Sequence, residues 1–540
     1  MNQAGPSVFD VFAGAVRRWP MRSFLNVLPG TARAYGISAG EISYAAAAGI
    51  VEDWGSRFRA AGYGPGMRIA LLLENRPDYF LIWLAANRLG MSVVPINPDL
   101  RAAELEYLIG HAEPALIIAT RARQGELRRA ARAARMRAPV IMVGNTLPEP
   151  RGTAKVARSS GRSDEREAAV LYTSGTTGQP KGCVLANRYF TEMAEWYAGL
   201  GGIISLTEQG ERMITPLPIF HMNAMACSFM VMMQVGGCLT VLDRFHPSTW
   251  WQDVRDSGAT CLHYLGVMPS ILMGMDAGDA ERAHDVRFGF GAGVDPKLHG
   301  PFEQRFGFPL MEAWAMTETG AGAVISNHHH DRLIGQSSLG PVPEWLEVRL
   351  VDEAGLDVPT GDPGELLVRR RGERSRDGFF SEYYKNEAAT EEAWAGGWFH
   401  TGDVVRQGEG GNMFFVDRRK NVIRRSGENI AAVEVESVLM RHPEITAAGV
   451  APVADAIRGD EVFACLCVSD RSYDKAREIG RWALDQMAYY KVPGYIAFVD
   501  ALPLTPTQKI QRAELKVMVA ELVNAPETVN LTDMKKRQVA

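Results

Sequence analysis

The sequence predicts an α/β fold: a large body built on parallel-type sheets, followed by a small α+β unit. Three observations predict it. The chain has 540 residues, more than one hydrophobic core ordinarily holds, so two or more domains are expected. Between residues 68 and 120 short apolar runs alternate with helix-spaced ones, the pattern of a parallel sheet covered on both faces. After residue 417 the pattern changes to a compact mixture of helices and strands. The division is therefore expected at 1–417 and 418–540.

The elements follow in order. RIALLLEN (68–75) reads as a strand, FLIWLAANRLG (80–90) as a helix and SVVPIN (92–97) as a strand. LRAAELEYLIGHA has helical spacing and ALIIAT (115–120) is a strand. Residues 121–138 carry seven arginines in an Ala-rich stretch, which reads as a solvated helix face. Residues 145–166 read as a loop. Short β-type runs such as EVRLVD, GELLVRR and MFFVD dominate 346–417. In the last unit AAVEVESVLMRHP and KAREIGRWALDQMA read as helices, and TAAGVAPV, EVFACLCVS and YIAFVD as strands. The tail from about 524 is expected to be loosely held.

Hydrophobic residues make up 46% of the chain and charged residues 22%, with net charge −5. This globular composition does not suggest a polyanion-binding surface, so no nucleic-acid partner is expected. No apolar run reaches the length of a membrane span, and the first twenty residues lack a secretory pattern. The six cysteines have neither metal-ligand spacing nor the density of a disulfide framework, and Cys465 and Cys467 sit at strand spacing on one face. A cytoplasmic protein with reduced thiols is expected.

The strongest motif is YTSGTTGQPKG, Tyr172 to Gly182, after the apolar run AAVL. Thr173, Ser174, Thr176 and Thr177 supply hydroxyls, Gly175 and Gly178 let backbone amides turn toward an anion, and Lys181 adds a charge. Together they make a polyphosphate cradle. It is not the common P-loop, which needs Gly-Lys followed by Ser or Thr. The string resembles the signature of the adenylate-forming enzymes: acyl-CoA synthetases, adenylation domains of peptide synthetases and beetle luciferases. Further motifs occur in that family's order along nearly the whole chain.

The resemblance implies a role for each of these motifs. PLPIFHMNA (216–224) is similar to the segment beside the acyl pocket, where His221 gates or orients the substrate carboxylate. Read alone, that residue would be a hydrogen-bonded core histidine. The pocket candidates are His221, Met222, Asn223, Met225, Gly266, Met268 and Ala315. FGFGAGVDP (288–296) resembles the Gly-rich turn along the adenine, here Gly291, Ala292 and Gly293, though the family usually has a proline nearby. EAWAMTETG (312–320) resembles the aromatic-x-x-Thr-Glu motif. Glu312, Ala313, Trp314 and Met316 would contact the nucleotide, with Trp314 stacked on adenine. Thr317 would touch the α-phosphate, and Glu318 would hold Mg²⁺, which needs a hard carboxylate oxygen. The usual residues are Tyr then Gly; here Trp314 then Ala315 stand.

In WFHTGD (398–403) Asp403 would bind the ribose, as would Arg418. Lys420 falls where the family hinge residue lies, and RSGENI would bring Ser426, Gly427 and Glu428 to CoA. In LPLTPTQKIQR (502–512) Lys509 matches the catalytic lysine, with Gln508 where a Gly usually precedes it. The run at His328, His329 and His330 reads as an exposed loop.

The function so implied is an acid-thiol ligase using ATP, Mg²⁺ and CoA. A carboxylate attacks the α-phosphate, pyrophosphate leaves, and a thiol then displaces AMP. The small domain, being mobile, would rotate between the two steps. The motif combination most resembles the crotonobetaine/carnitine-CoA ligase branch. The acid is expected to be short or medium-chain, polar or aromatic, and Asn223 points to a polar or short one. Transfer to a carrier-protein thiol and a non-catalytic AMP-binding protein are the alternatives, and a homodimer is compatible with the sequence.

Overall fold

The computed structural model describes residues 5–151, 161–173, 179–329, 331–418, 422–504 and 510–536. A seven-stranded sheet runs, edge to edge, Glu382–Tyr383, Lys181–Ala186, Glu167–Thr173, Ser92–Pro95, Arg68–Leu72, Leu116–Ala119 and Val140–Met142. Its five strands from Glu167–Thr173 onward are parallel, with Ile69 beside Val93 and Leu116. Arg68–Leu72 is buried at every position, as a strand covered on both faces must be. The helix Pro77–Arg88 is buried continuously from Tyr79 to Asn87. Its apolar run lies inside the body, not at the surface.

An eight-stranded sheet follows the order Ile325–Ser326, Leu310–Trp314, Phe288–Ala292, Cys261–Leu265, Arg212–Thr215, Cys238–Val241, Ser23–Val27 and Gly40–Ser43. Only the two edge strands are antiparallel. Phe288–Ala292 and Leu310–Trp314 are parallel neighbours, so the Gly-rich turn and the Trp314–Glu318 segment leave the sheet side by side at its C-terminal end. That is where open α/β sheets bind ligands. A five-stranded antiparallel sheet spans 338–418 and sets Asp403 opposite Arg418.

The last sheet holds Glu428–Ala431, Val422–Arg425, Gly459–Cys467, Tyr495–Phe498 and Val529–Asn530, with Ala447–Asp455 also on Gly459–Cys467. Two apolar clusters of its own, drawn only from residues 423–531, fill it. Cys465 and Cys467 belong to the same one of these clusters, on one face of their strand as their spacing implies.

The arginine-rich stretch forms the helix Gln124–Ala133, which buries Leu127, Ala130 and Ala131 and leaves Arg128, Arg129 and Arg132 exposed. The tail departs from expectation. Val529 and Ile496 pair across the sheet, Leu531 is fully buried, and Lys535 is ion-paired to buried Glu461. A strand pairing and a buried charge hold this segment, and neither is visible in its polar composition. No helix among the described residues is long and apolar enough to cross a membrane.

Candidate active site

The phosphate motif straddles a hairpin. Thr173 and Lys181 face each other across antiparallel strands. The stem is anchored from one helix, because the Tyr107 hydroxyl donates to the Pro180 carbonyl (2.9 Å) and His111 Nδ1 lies 2.8 Å from the Tyr172 hydroxyl. Burial, with the charges of Lys385 and Arg68, pushes His111 down to about 4, so its ring is neutral. Ser174, Gly175, Thr176 and Thr177 lie outside the described residues.

Glu318 is buried beside this stem. Its Oε1 accepts from the Thr173 hydroxyl (3.2 Å) and from the Tyr383 hydroxyl (3.0 Å). The Lys181 ammonium lies 4.7 Å from the centre of the Tyr383 ring. Both hydroxyls fall on one carboxylate oxygen. A hard carboxylate at the foot of a phosphate loop fits a magnesium ion, which takes one or two carboxylate oxygens and keeps other positions for phosphate and water.

These groups open onto a cleft of about 300 Å³ with walls from both parts of the chain. Thr173, Lys181, His221, Thr317, Glu318 and Asp403 line it from the body, and Arg424, Gly427 and Glu428 from the small domain. Of the expected acyl-pocket residues, His221, Met222, Asn223 and Ala315 line the cleft. Met225, Gly266 and Met268 do not. Met225 is fully buried against the Tyr79 hydroxyl (3.2 Å to Sδ), and Met268 is buried in its helix. Gly266 packs against backbone, and a Cβ there would fall 1.6 Å from the Gly293 carbonyl oxygen.

The Gly-rich turn has a similar packing role. A Cβ on Gly291 would lie 2.2 Å from the Tyr264 carbonyl oxygen, and Gly293 has φ +77°. Buried Glu312 holds this turn, its Oε1 accepting from the amides of Gly293 (3.0 Å) and Val294 (3.1 Å). Gly291, Ala292, Gly293, Glu312 and Ala313 are absent from the cleft wall.

Trp314 ends its strand beside Asp403. It is 5% exposed and does not line the cleft; its indole Nε1 donates to Asp403 Oδ2 at 2.8 Å. An aromatic chosen only for stacking would not need that N–H. Met316 lines the cleft, and its amide is held by the Thr319 hydroxyl (2.9 Å). Trp314→Phe keeps the ring and removes the donor. It is expected to raise KM for ATP about 5- to 10-fold through a misplaced Asp403, with little loss of kcat. Steady-state kinetics at saturating acid and CoA check this.

The small domain enters the cleft through its RSGENI segment. Ser426 and Gly427 have φ +50° and +89°, and a Cβ on Gly427 would lie 2.4 Å from Leu265 Cδ1 of the body. A side chain there would press on Leu265 and sit at a strained positive φ. Glu428 Oε1 lies 3.3 Å from His221 Nε2. Nearby, Lys491 joins Glu434 of its own domain (2.7 Å) to Glu104 of the body (2.5 Å), all three buried or nearly so. Burial works against the lysine's charge, but the two carboxylates outweigh it and hold its pKa above the ordinary value. Sequence reasoning missed this bridge. Its one signal was the YYKVPGY string, which carries no mark of a partner at residue 104. Lys420 and Lys509 lie outside the described residues, as does the side chain of Arg418. Leu504 and Ile510, which flank the segment holding Lys509, do not line the cleft. No three potential metal ligands cluster among the described residues.

Residues 23–384 match the AMP-binding enzyme family, and residues 434–509 match the AMP-binding enzyme C-terminal domain. The chain belongs to the AMP-binding enzyme family. This AMP-binding enzyme is similar to the sulfoacetate–CoA ligase of Cupriavidus necator, 30% identical over 527 residues, 94% of this chain and 98% of that one. It is also similar to the crotonobetaine/carnitine–CoA ligase of Salmonella typhimurium, 28% identical over 88% of this chain and 93% of that one. Among solved structures, the o-succinylbenzoate CoA synthetase of Bacillus subtilis, bound to a product analogue, shares the fold with TM-score 0.79 at 22% identity, covering 95% of this chain and 98% of that one.

Proposed function

We propose that this AMP-binding enzyme, an ATP-dependent acyl-CoA ligase working through an acyl-adenylate, activates a short polar carboxylic acid. The observation that carries the reading is the meeting of two machineries in one cleft. The Thr173–Lys181–Glu318 group sits at one side of it and the Gly427–Glu428 turn at the other.

In the first half-reaction a carboxylate oxygen attacks the α-phosphorus and the bond to the β-phosphate breaks. Two anions meet, so aligned cations and donors are needed, not a protein nucleophile. Lys181 and the hydroxyl-rich loop cradle the phosphates, Asp403 and Arg418 bind the ribose, and Thr317 contacts the α-phosphate. Glu318 would hold the magnesium ion, whose charge offsets that of the phosphates. Lys509 would complete the site. In the second half-reaction the CoA thiol attacks the acyl carbon and AMP leaves. Gly427 would lie against the pantetheine arm, while Glu428 holds His221 aside.

Contacts of the RSGENI segment and Lys491 with the body correspond to this second step. Lys509, about 80 residues further on in the same domain, would serve the first after that domain turns about a hinge near Lys420. The division at 417/418 is part of this reading.

Lys509→Ala tests it. Pyrophosphate release with a panel of short polar acids should fall about 100- to 1,000-fold. Thioester formation from a pre-made acyl-adenylate and CoA should stay within about threefold. Equal loss of both would remove Lys509 from its role. The absence of pyrophosphate release by the parent enzyme across the panel would remove the short polar acid.

A further inference from the structure

Asn223, which lines the cleft, is joined to a buried polar relay. Tyr197 is fully buried, and among the described residues its hydroxyl meets one polar partner, His263 Nε2, at 3.0 Å. His263 is fully buried too, and its Nδ1 lies 2.7 Å from Ser228 Oγ and 3.1 Å from Asn223 Oδ1. The Ser228 hydroxyl is 3.3 Å from the Asn223 carbonyl.

The protons can be placed by elimination. A buried hydroxyl with one neighbour must give it its proton or leave a donor unpaired. Tyr197 therefore donates, and Nε2 accepts. Burial pushes His263 down to about 3, so the ring is neutral and carries one proton. That proton is on Nδ1, which donates to the Ser228 and Asn223 oxygens. The Asn223 amide is thereby fixed, because turning it over would set its NH₂ against the Nδ1–H, donor against donor. With Oδ1 engaged in the relay, the group that Asn223 can present to the cleft it lines is its NH₂. The same cleft is lined by the apolar Phe220, Met222, Leu265 and Ala315 and by His221.

We propose that Asn223, locked by the Tyr197–His263 relay, makes the acyl subsite a hydrogen-bond donor. The enzyme therefore selects acids that carry an acceptor oxygen (sulfonate, second carboxylate, carbonyl or hydroxyl) beyond the reacting carboxylate, and rejects cationic ammonium tails. This rests on the short-polar-acid reading above and adds the sign of the polarity. Tyr197 and His263 are positioning residues, and Asn223 touches the substrate.

Three acids of nearly one shape separate the possibilities: sulfoacetate, 3,3-dimethylbutyrate and betaine, whose tails are an acceptor, a hydrocarbon and a cation. The parent should favour sulfoacetate over 3,3-dimethylbutyrate by about 30-fold in kcat/KM for pyrophosphate release, and betaine should be poorest. Asn223→Leu should bring that ratio to about one or below with KM for ATP unchanged. Asn223→Asp should lose sulfoacetate and gain betaine. Tyr197→Phe, which leaves Asn223 in place but frees the imidazole proton, should lower the ratio about fivefold. A general loss of structure would lower all three acids together. If the hydrocarbon or the cation equals sulfoacetate with the parent, or if the ratio does not move in Asn223→Leu, the inference falls. If none of the three acids releases pyrophosphate, the short-polar-acid reading falls and takes the inference with it.

Discussion

Lys491→Met is expected to slow thioester formation about 100-fold and to leave adenylation within a few-fold. The lysine lies between Glu104 of the body and Glu434 of the small domain, with side chains 6%, 10% and 8% exposed. Glu104 also accepts from the Ala488 amide at 3.0 Å, and Asn97 donates to the Tyr490 hydroxyl at 3.1 Å, so the bridge is the charged centre of a wider contact. Methionine keeps the length of the side chain and removes the cation. Two carboxylates would then face each other in a buried site. Breaking one partner out of a buried ion pair costs about 3–5 kcal/mol. On the proposed rotation, only the docked arrangement carries that penalty, since turning the small domain away would return Glu104 to water. Protonation of Glu434, whose carboxyl burial already pushes up, relieves part of it. About 100-fold remains. Separate measurement of pyrophosphate exchange and of acyl transfer from a pre-made adenylate decides the matter. A parallel fall in both would mean that Lys491 merely stabilises the fold.

Glu461→Gln should destabilise the small domain by about 3 kcal/mol. Glu461 is fully buried and binds two cations: Arg425 Nε at 2.8 Å and the ammonium of Lys535. Lys535 also reaches the Tyr490 carbonyl at 3.3 Å. Glutamine keeps the shape and leaves the Arg425 guanidinium, and Lys535 where it is protonated, with no counter-charge. The effect should appear in thermal unfolding and in faster amide exchange across 422–431, because Arg425 begins the turn that Gly427 and Glu428 place in the cleft. Burial and Arg425 push Lys535 down to about 7, below its ordinary 10.5. The unfolded chain therefore binds more protons than the fold between these values. By this group alone, stability rises with pH across that window. A Glu461→Gln variant as stable as the parent at pH 7 would show that the cluster is not a stabilising centre.

Much of the fold was legible in the chain because its cause is local. The apolar runs at 68–72, 92–95 and 116–119 are strands since each is short, β-branched and flanked by helix-spaced residues. That Thr173, Lys181, Thr317, Glu318 and Asp403 line one cleft was anticipated by motifs whose order along the chain resembles that of the adenylate-forming enzymes. The tail was not. In APETVNLTDMKKRQVA the apolar residues are scattered without a strand or helix period, and what holds its described part is the pairing of Val529 with Ile496, the burial of Leu531 and the ion pair of Lys535 with Glu461. The resemblance of EAWAMTETG supplied an aromatic at Trp314, but no motif shows where an indole N–H points, and its hydrogen bond to Asp403 is seen only in the structure. Met225 and Met268, expected in the acyl pocket, are buried and do not line the cleft; which face a side chain takes is settled only by packing.

By itself the sequence determined a carboxylate-adenylating chemistry and an α/β body with a smaller appended domain, since contiguous segments of a few residues carry both. Tertiary structure alone decided that Lys491 meets Glu104, 387 residues away, that Trp314 meets Asp403, and that His263 joins Tyr197 to Asn223. Each of these is a buried polar contact between distant segments. The cost of burying an unpaired charge or donor decides who partners whom, and that cost exists only after the apolar core has closed around them.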